Sequence, residues 1–128
     1  MNRLSLRYRA VGEGEPVLIV AECGINHNGS LDLALRMIEE AALAGASACK
    51  FQLFRAAGMY TPQAGLYRTA AGELVPIYRL MEEMEVPTDW VPRLAAQCHE
   101  FGLDFIMTVC DEWCVAFMDT QEFEVYKI

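Results

Sequence analysis

The sequence predicts an α/β protein whose strands form a parallel sheet with helices outside it. Three observations carry the prediction. Strand-like, largely apolar segments at 17–21, 47–53 and 103–108 each give way to a polar or glycine-bearing segment. Between them, apolar residues recur with the 3.6-residue period of a helix that covers a sheet. The resulting order, β-α-β-α-β-α-β, shows no internal repeat and no linker-like composition, which is the pattern of βαβ units. A four-stranded sheet of this kind either stands alone as a small doubly wound domain or forms the first half of an eight-stranded barrel.

Each element has its own warrant. Residues 3–9 alternate apolar and polar and run into Gly12-Glu13-Gly14-Glu15-Pro16, a short hairpin or edge strand leading into the main sheet. The first main strand, 17–21, opens with four aliphatic residues in a row, as expected of a strand buried on both faces. Ser30 is placed to cap a helix that carries Leu31, Leu35, Ile38 and Ala42 on one face, with Glu39 and Glu40 toward solvent. Gly45 ends it in the left-handed conformation that glycine adopts cheaply. The second strand is 47–53. Residues 58–73 hold no clear period and read as a loop over one end of the sheet, followed by a short helix at 76–84. Thr88 or Asp89 caps the next helix, which carries Val91, Leu94, Ala95, Cys98 and Phe101, tolerates Pro92 in its first turn and ends at Gly102. A strand at 103–108, a helix at 112–118 and a strand at 124–128 complete the chain.

Composition narrows the classes of function. With 128 residues and 54% hydrophobic content the chain can bury one core of ordinary size. No apolar run approaches the roughly 20 residues of a membrane helix, and no apolar stretch follows the basic N-terminus as in a signal peptide, so a cytoplasmic protein without membrane partners is expected. A net charge of -8 argues against a broad grip on nucleic acid. An anionic substrate therefore needs a local positive pocket. The five cysteines, Cys23, Cys49, Cys98, Cys110 and Cys114, are odd in number and sit mostly in apolar stretches, as free buried thiols do. Cys110 and Cys114, four apart, could share a helix face, but two thiols alone make a weak metal signal.

Two features point to a site. The first is 17–30, VLIVAECGINHNGS, where Glu22 stands at the end of the apolar run and Asn26, His27, Asn28 and Gly29 follow. Ligands bind at the C-terminal ends of strands in parallel sheets. The cluster is either a βα loop that uses Asn and Gly for backbone geometry or the wall of a pocket. The second feature is the pair of lysines. The chain has only two, Lys50 and Lys127, against eight arginines, and both fall near strand ends. A lysine in an apolar strand is costly to bury unless it meets an anion, and its compact ammonium suits a phosphate or carboxylate. The alternative is that each reaches solvent or pairs with one of the many acids. Two of two at equivalent strand ends, with Glu22 at a third, favour an anion pocket.

Residues 19–52, IVAECGINHNGSLDLALRMIEEAALAGASACKFQ, closely resemble the opening of the sialic acid (N-acetylneuraminate) synthase family. The resemblance extends to GEGEP before them and to Ile77-Tyr78, Thr88-Asp89, Phe105-Ile106 and Val125-Tyr126-Lys127-Ile128 after them. It implies a TIM-type (βα)8 barrel followed by a small antifreeze-like domain, so that 1–128 is a single partial domain, the N-terminal half of the barrel. The implied reaction condenses phosphoenolpyruvate with N-acetylmannosamine or a related sugar to a nonulosonic acid and releases phosphate. Glu22 matches a catalytic acid that handles a proton or positions the attacking water. Lys50 and Lys127 match phosphoenolpyruvate-binding lysines, Gln52 a sugar-binding residue, and Asn26, His27 and Asn28 the loop that shapes the pocket.

A divalent metal, manganese or magnesium, is implied for the full-length enzyme as a Lewis acid on the aldehyde. Its two histidines lie on later strands of the family. This chain has only His27 and His99, so none is expected to be held by it alone. Two departures from the family pattern stand out: Met107-Thr108-Val109-Cys110 replaces Ser-Thr-Pro-Phe, and Gly72 falls near the place of an asparagine at the substrate mouth. The chain is expected to be inactive alone and its full-length form a homodimer. The alternative is a non-catalytic half-barrel that binds an anionic metabolite or pairs with a second chain, since an uncovered sheet edge invites pairing.

Overall fold

A computed structural model describes residues 3–121, 123 and 125–128. The elements are β1 (Leu4–Ser5), β2 (Ala10–Val11), β3 (Val20–Gly24), α1 (Leu31–Leu43), β4 (Ala48–Leu53), α2 (Ala56–Met59), β5 (Leu66–Arg68), β6 (Leu74–Pro76), α3 (Ile77–Glu83), α4 (Trp90–Glu100), β7 (Asp104–Val109), α5 (Glu112–Asp119) and β8 (Tyr126–Lys127).

The central sheet runs β3-β4-β7-β8, all parallel and in chain order. One apolar core joins Ile38 and Ala41 of α1, Leu94 and Cys98 of α4, and Cys114 and Met118 of α5 to Cys49, Phe51, Phe105 and Met107 of the strands. The main helices therefore cover one face. A doubly wound sheet reverses its strand order and carries helices on both faces; chain-order winding with helices on one face is the barrel arrangement. The α/β class predicted from the sequence is correct, and of its two forms this is the half-barrel.

Alternation along the strands sorts their side chains. Cys49, Phe51 and Leu53 of β4 and Phe105, Met107 and Val109 of β7 enter the helix-side core. The intervening Lys50, Gln52, Ile106 and Thr108 belong to the other face, open in that α1, α4 and α5 pack against the opposite side, although Ile106 and Thr108 are themselves buried. The first main strand is displaced from its expected place: it spans Val20–Gly24, not 17–21, and Glu22 lies within it. Nor is the aliphatic run buried on both faces. Val17 and Ile19 are 82% and 57% exposed because β3 is the sheet's edge strand.

The helix ends follow local chemistry. The Ser30 hydroxyl accepts from the Leu33 N–H, and Gly45 follows the helix at φ +81°. Asp89 stands at the start of α4 but its carboxylate makes no capping hydrogen bond. Instead the Trp90 and Val91 N–H groups are satisfied by the carbonyls of Pro87 and Thr88.

Residues 58–73 are not a plain loop. They contain the end of α2 and β5, which pairs antiparallel with β6 around a turn where Gly72 adopts φ +86°. These short, largely exposed strands escape a reading based on hydrophobic period. Cys110 precedes α5, so it does not share a helix face with Cys114; all five cysteines are free. Of the last expected strand, Tyr126–Lys127 is observed, while Glu124 lies outside the described residues.

The N-terminal hairpin pairs with itself and not with the main sheet. It is pinned to the N-terminal end of the sheet by Arg9, whose Nε lies 3.0 Å from the buried Asp104 carboxylate. Its guanidinium also donates to the carbonyls of Ser47 and Gly102. The Tyr8 N–H donates to the other Asp104 oxygen at 3.1 Å. One end of the open face is thus tied down, leaving the C-terminal end for ligands. No helix among the described residues is long and apolar enough to cross a membrane.

Candidate functional site

Strand register gathers the polar residues of the open face into two rows. Glu22 on β3 lies beside Lys50 on β4, which lies beside Ile106 on β7. One step nearer the strand ends, Gln52 lies beside Thr108, which lies beside Lys127 on β8. Register partners in a parallel sheet point to the same side, so four residues far apart in sequence share one surface.

Lys50 Nζ sits 2.5 Å from Glu22 Oε2, with the lysine side chain 21% exposed and the carboxylate 53%. The protein thus supplies Lys50 with an anion of its own, as the simple pairing of a lysine with a neighbouring acid would have it. Lys127 is exposed, close enough to Cys110 for its charge to favour that thiol's ionisation. Burial and the nearby Asp111 carboxylate still leave the Cys110 thiol above its usual range. What goes beyond simple pairing is the shared face: one acid, two ammonium groups and an amide at the ligand-binding end of a parallel sheet.

The loop after β3 is built to hold its shape. A register shift between Glu22 and Gly24 ends the strand, and Gly24, Asn28 and Gly29 take φ of +53°, +49° and +69°. His27 is fully buried, and its Nδ1 accepts from the Gly29 N–H at 3.1 Å, which places the neutral ring's proton on Nε2. Its ring meets that of Trp90 edge-on at 5.7 Å. Nε2 has no hydrogen-bond partner among the described residues, and burial lowers the imidazole pKa. His27 is therefore the pin of this loop rather than a group facing the open surface, while Asn26 and Asn28 are exposed.

One organising residue was not singled out from the sequence. Asp111 caps α5 by accepting from the Cys114 N–H at 2.8 Å, and accepts the Arg55 N–H at 3.2 Å. The Arg55 Nε lies 3.6 Å from the same carboxylate, and its guanidinium stacks over Trp113 at 4.5 Å. Burial works against the charge of Asp111, but these hydrogen bonds and the Arg55 charge outweigh it and hold the carboxyl below its usual range. A β-carbon at residue 58 would lie 2.5 Å from its Oδ2, hence Gly58. Asp111 so ties the loop after β4 to the loop after β7. An aspartate immediately before a predicted helix was the available signal.

The metal implied by the family resemblance finds no ready set of ligands. Among the described residues, no group of three or more His, Cys, Asp or Glu is placed to hold an ion.

Comparisons with known proteins bear on the family and the fold. Residues 37–128 match the sequence profile of the NeuB family. The whole chain is 43% identical to the spore coat polysaccharide biosynthesis protein SpsE of Bacillus subtilis (strain 168), covering 34% of that protein. It is 30% identical over 110 residues to the N,N'-diacetyllegionaminic acid synthase of Legionella pneumophila, covering 84% of this chain and 31% of that one. The crystal structure of the sialic acid synthetase of Leptospira borgpetersenii in complex with citrate superposes with a TM-score of 0.84 at 28% identity, over 99% of this chain and 41% of that one. The crystal structure of Bacillus subtilis SpsE gives 0.73 at 36% identity, over 98% and 32%. The chain spans about a third of the length of the curated relatives it matches.

Proposed function

Because the chain belongs to the NeuB family, we propose that it supplies the phosphoenolpyruvate-binding half of a nonulosonic acid synthase barrel. The observation that carries this is the shared open face of Glu22, Lys50, Gln52 and Lys127. In this reading the enol carbon of phosphoenolpyruvate attacks the aldehyde of an open-chain N-acylated amino sugar. Water then adds to the resulting oxocarbenium carbon, and phosphate leaves. Lys50 and Lys127 hold the phosphate and carboxylate, each as a charge-assisted donor. Lys50 has three N–H donors, so it can keep Glu22 while it takes a substrate oxygen. Glu22 accepts a hydrogen bond from the attacking water and orients it, and Gln52 holds the sugar.

The remaining strands, the antifreeze-like domain and the ligands of a divalent metal are proposed to come from sequence outside these residues. The chain alone is accordingly inactive, and the complete protein acts in the cytoplasm as a homodimer.

The test is turnover by the complete protein. Glu22→Gln and Lys50→Ala should each remove most phosphate release from phosphoenolpyruvate in the presence of the amino sugar. Wild-type turnover in both would end the role assignments. A second reading, a non-catalytic half-barrel paired with another chain, is favoured by the outer edge of β3, which pairs with no strand among the described residues, and by exposed Val17 and Ile19 just before it. Light scattering separates the two: a strict monomer at high concentration excludes self-pairing.

A further inference from the structure

Four of the five cysteines belong to the helix-side core, and Cys110 does not. Its N–H donates to the Leu53 carbonyl at 3.1 Å, which carries the β4–β7 ladder one residue beyond β7. Met107 and Val109 face the core, so alternation puts Cys110 on the open face. There it stands two residues beyond Thr108, toward the ligand-binding end of the sheet. Two neighbours on that face point to an anion. Thr108 is 9% exposed, and its hydroxyl has no hydrogen-bond partner among the described residues. Its register partner on β8 is Lys127, which brings an exposed ammonium group close to the Cys110 thiol.

The thiol is well placed rather than activated. Burial and the Asp111 carboxylate hold it above its usual range, and the Lys127 charge offsets them only in part. At neutral pH it is therefore protonated, and an uncharged alkylating agent gains nothing from this position. A small acid with an electrophilic carbon does gain. Thr108 and Lys127 hold its carboxylate and bring the carbon to Sγ, and proximity makes up for the small thiolate fraction. We infer that Cys110 is a covalent modification site for small electrophilic carboxylic acids, at the mouth of the phosphoenolpyruvate pocket, and that its modification closes that pocket. With 3-bromopyruvate the sulfur displaces bromide from C3, which leaves a thioether bearing the intact pyruvate carboxylate and releases bromide and a proton. The inference rests on the synthase reading of this face, and adds to it a reactive group beside the first substrate.

The test compares 3-bromopyruvate with its uncharged ethyl ester, on the folded chain and on the chain unfolded in urea, read by intact mass and peptide mapping. In urea all five cysteines should be alkylated by either reagent. On the folded chain Cys110 should be alkylated first, with the preference for acid over ester about tenfold greater than in urea. Lys127→Ala should remove that preference without changing the rate of the ester. Phosphoenolpyruvate at about ten times its Kd should slow labelling by the acid roughly tenfold. The labelled chain should no longer perturb the phosphorus resonance of phosphoenolpyruvate. First labelling at another cysteine, or an acid-to-ester ratio that is the same folded and unfolded and indifferent to Lys127, overturns the inference. If phosphoenolpyruvate still binds the unlabelled chain in that case, the synthase reading stands; if it does not, both fall together.

Discussion

Replacing Gly29 with alanine loads the loop after β3 at a point where the cost can be worked out from geometry. Gly29 has φ +69°, and an added β-carbon would lie 2.8 Å from the backbone carbonyl oxygen of Glu83, closer than real β-carbons approach any atom. The left-handed conformation costs alanine about 1–2 kcal/mol, offset by about 0.4–1 kcal/mol from the stiffer unfolded chain. Separating the loop from the end of α3 adds an overpacking cost of about 1–3 kcal/mol. The sum is roughly 1–4.5 kcal/mol.

Gly45→Ala provides the control. Gly45 has φ +81°, but an added β-carbon there would meet nothing within 4 Å, so the variant carries the conformational cost without the collision. Its expected penalty is about 1 kcal/mol. With a urea slope of about 1.5 kcal/mol/M, Gly29→Ala should lower the unfolding midpoint by roughly 0.7–3 M and Gly45→Ala by about 0.7 M, the collision separating the two by roughly 0.7–2 M. Equal midpoints for the two variants would refute the idea that this loop is clamped against α3.

Three further outcomes follow from the same contacts. His27 is buried neutral with its pKa below the unfolded value of about 6.5, so the unfolded chain binds the extra proton; stability is full above that pH and declines as pH falls below it. In urea unfolding between about pH 7 and 5, His27→Gln should flatten this decline even while lowering stability overall, and an unchanged slope would contradict it. Asp111 is held below its usual range, so its contribution is present above about pH 4 and lost on further acidification; Asp111→Asn should reduce that steep acid loss in a pH series. Arg9→Ala strips the guanidinium from the 4%-exposed Asp104 carboxylate and should cost about 2 kcal/mol by thermal unfolding, with no loss indicating that the hairpin does not hold the sheet.

Much of the fold was legible because its signals are local and periodic. Ser30, Gly45 and the apolar stripe of α1 specify a helix and its ends without reference to the rest of the chain. The strands of the core, such as Ala48–Leu53, announce themselves by composition. What escaped depends on tertiary context. Val17 to Ile19 look like a buried strand, yet Val17 and Ile19 are exposed beside the sheet edge. The β5–β6 hairpin is too short and too exposed to leave a hydrophobic period.

The candidate site divides the same way. Glu22, Lys50 and Lys127 stood out by charge in apolar surroundings, but that they share a face is a property of register, which no single strand reveals. His27 reads in sequence like a polar loop residue; its burial against Trp90 appears only when α4 packs beneath it. Asp111 works across two loops, and sequence shows only one of them.

The central claim, an anion pocket made by two lysines on one sheet face, Lys50 in the middle of β4 rather than at its end and Lys127 in β8, is tested most directly by titrating phosphoenolpyruvate into the chain and its lysine variants, following the phosphorus resonance. Removing one charge-assisted contact should weaken binding by roughly 10- to 100-fold, so Lys50→Ala and Lys127→Ala should each fall in that range and the double variant should show no binding. Unaltered affinity in both single variants would contradict the account.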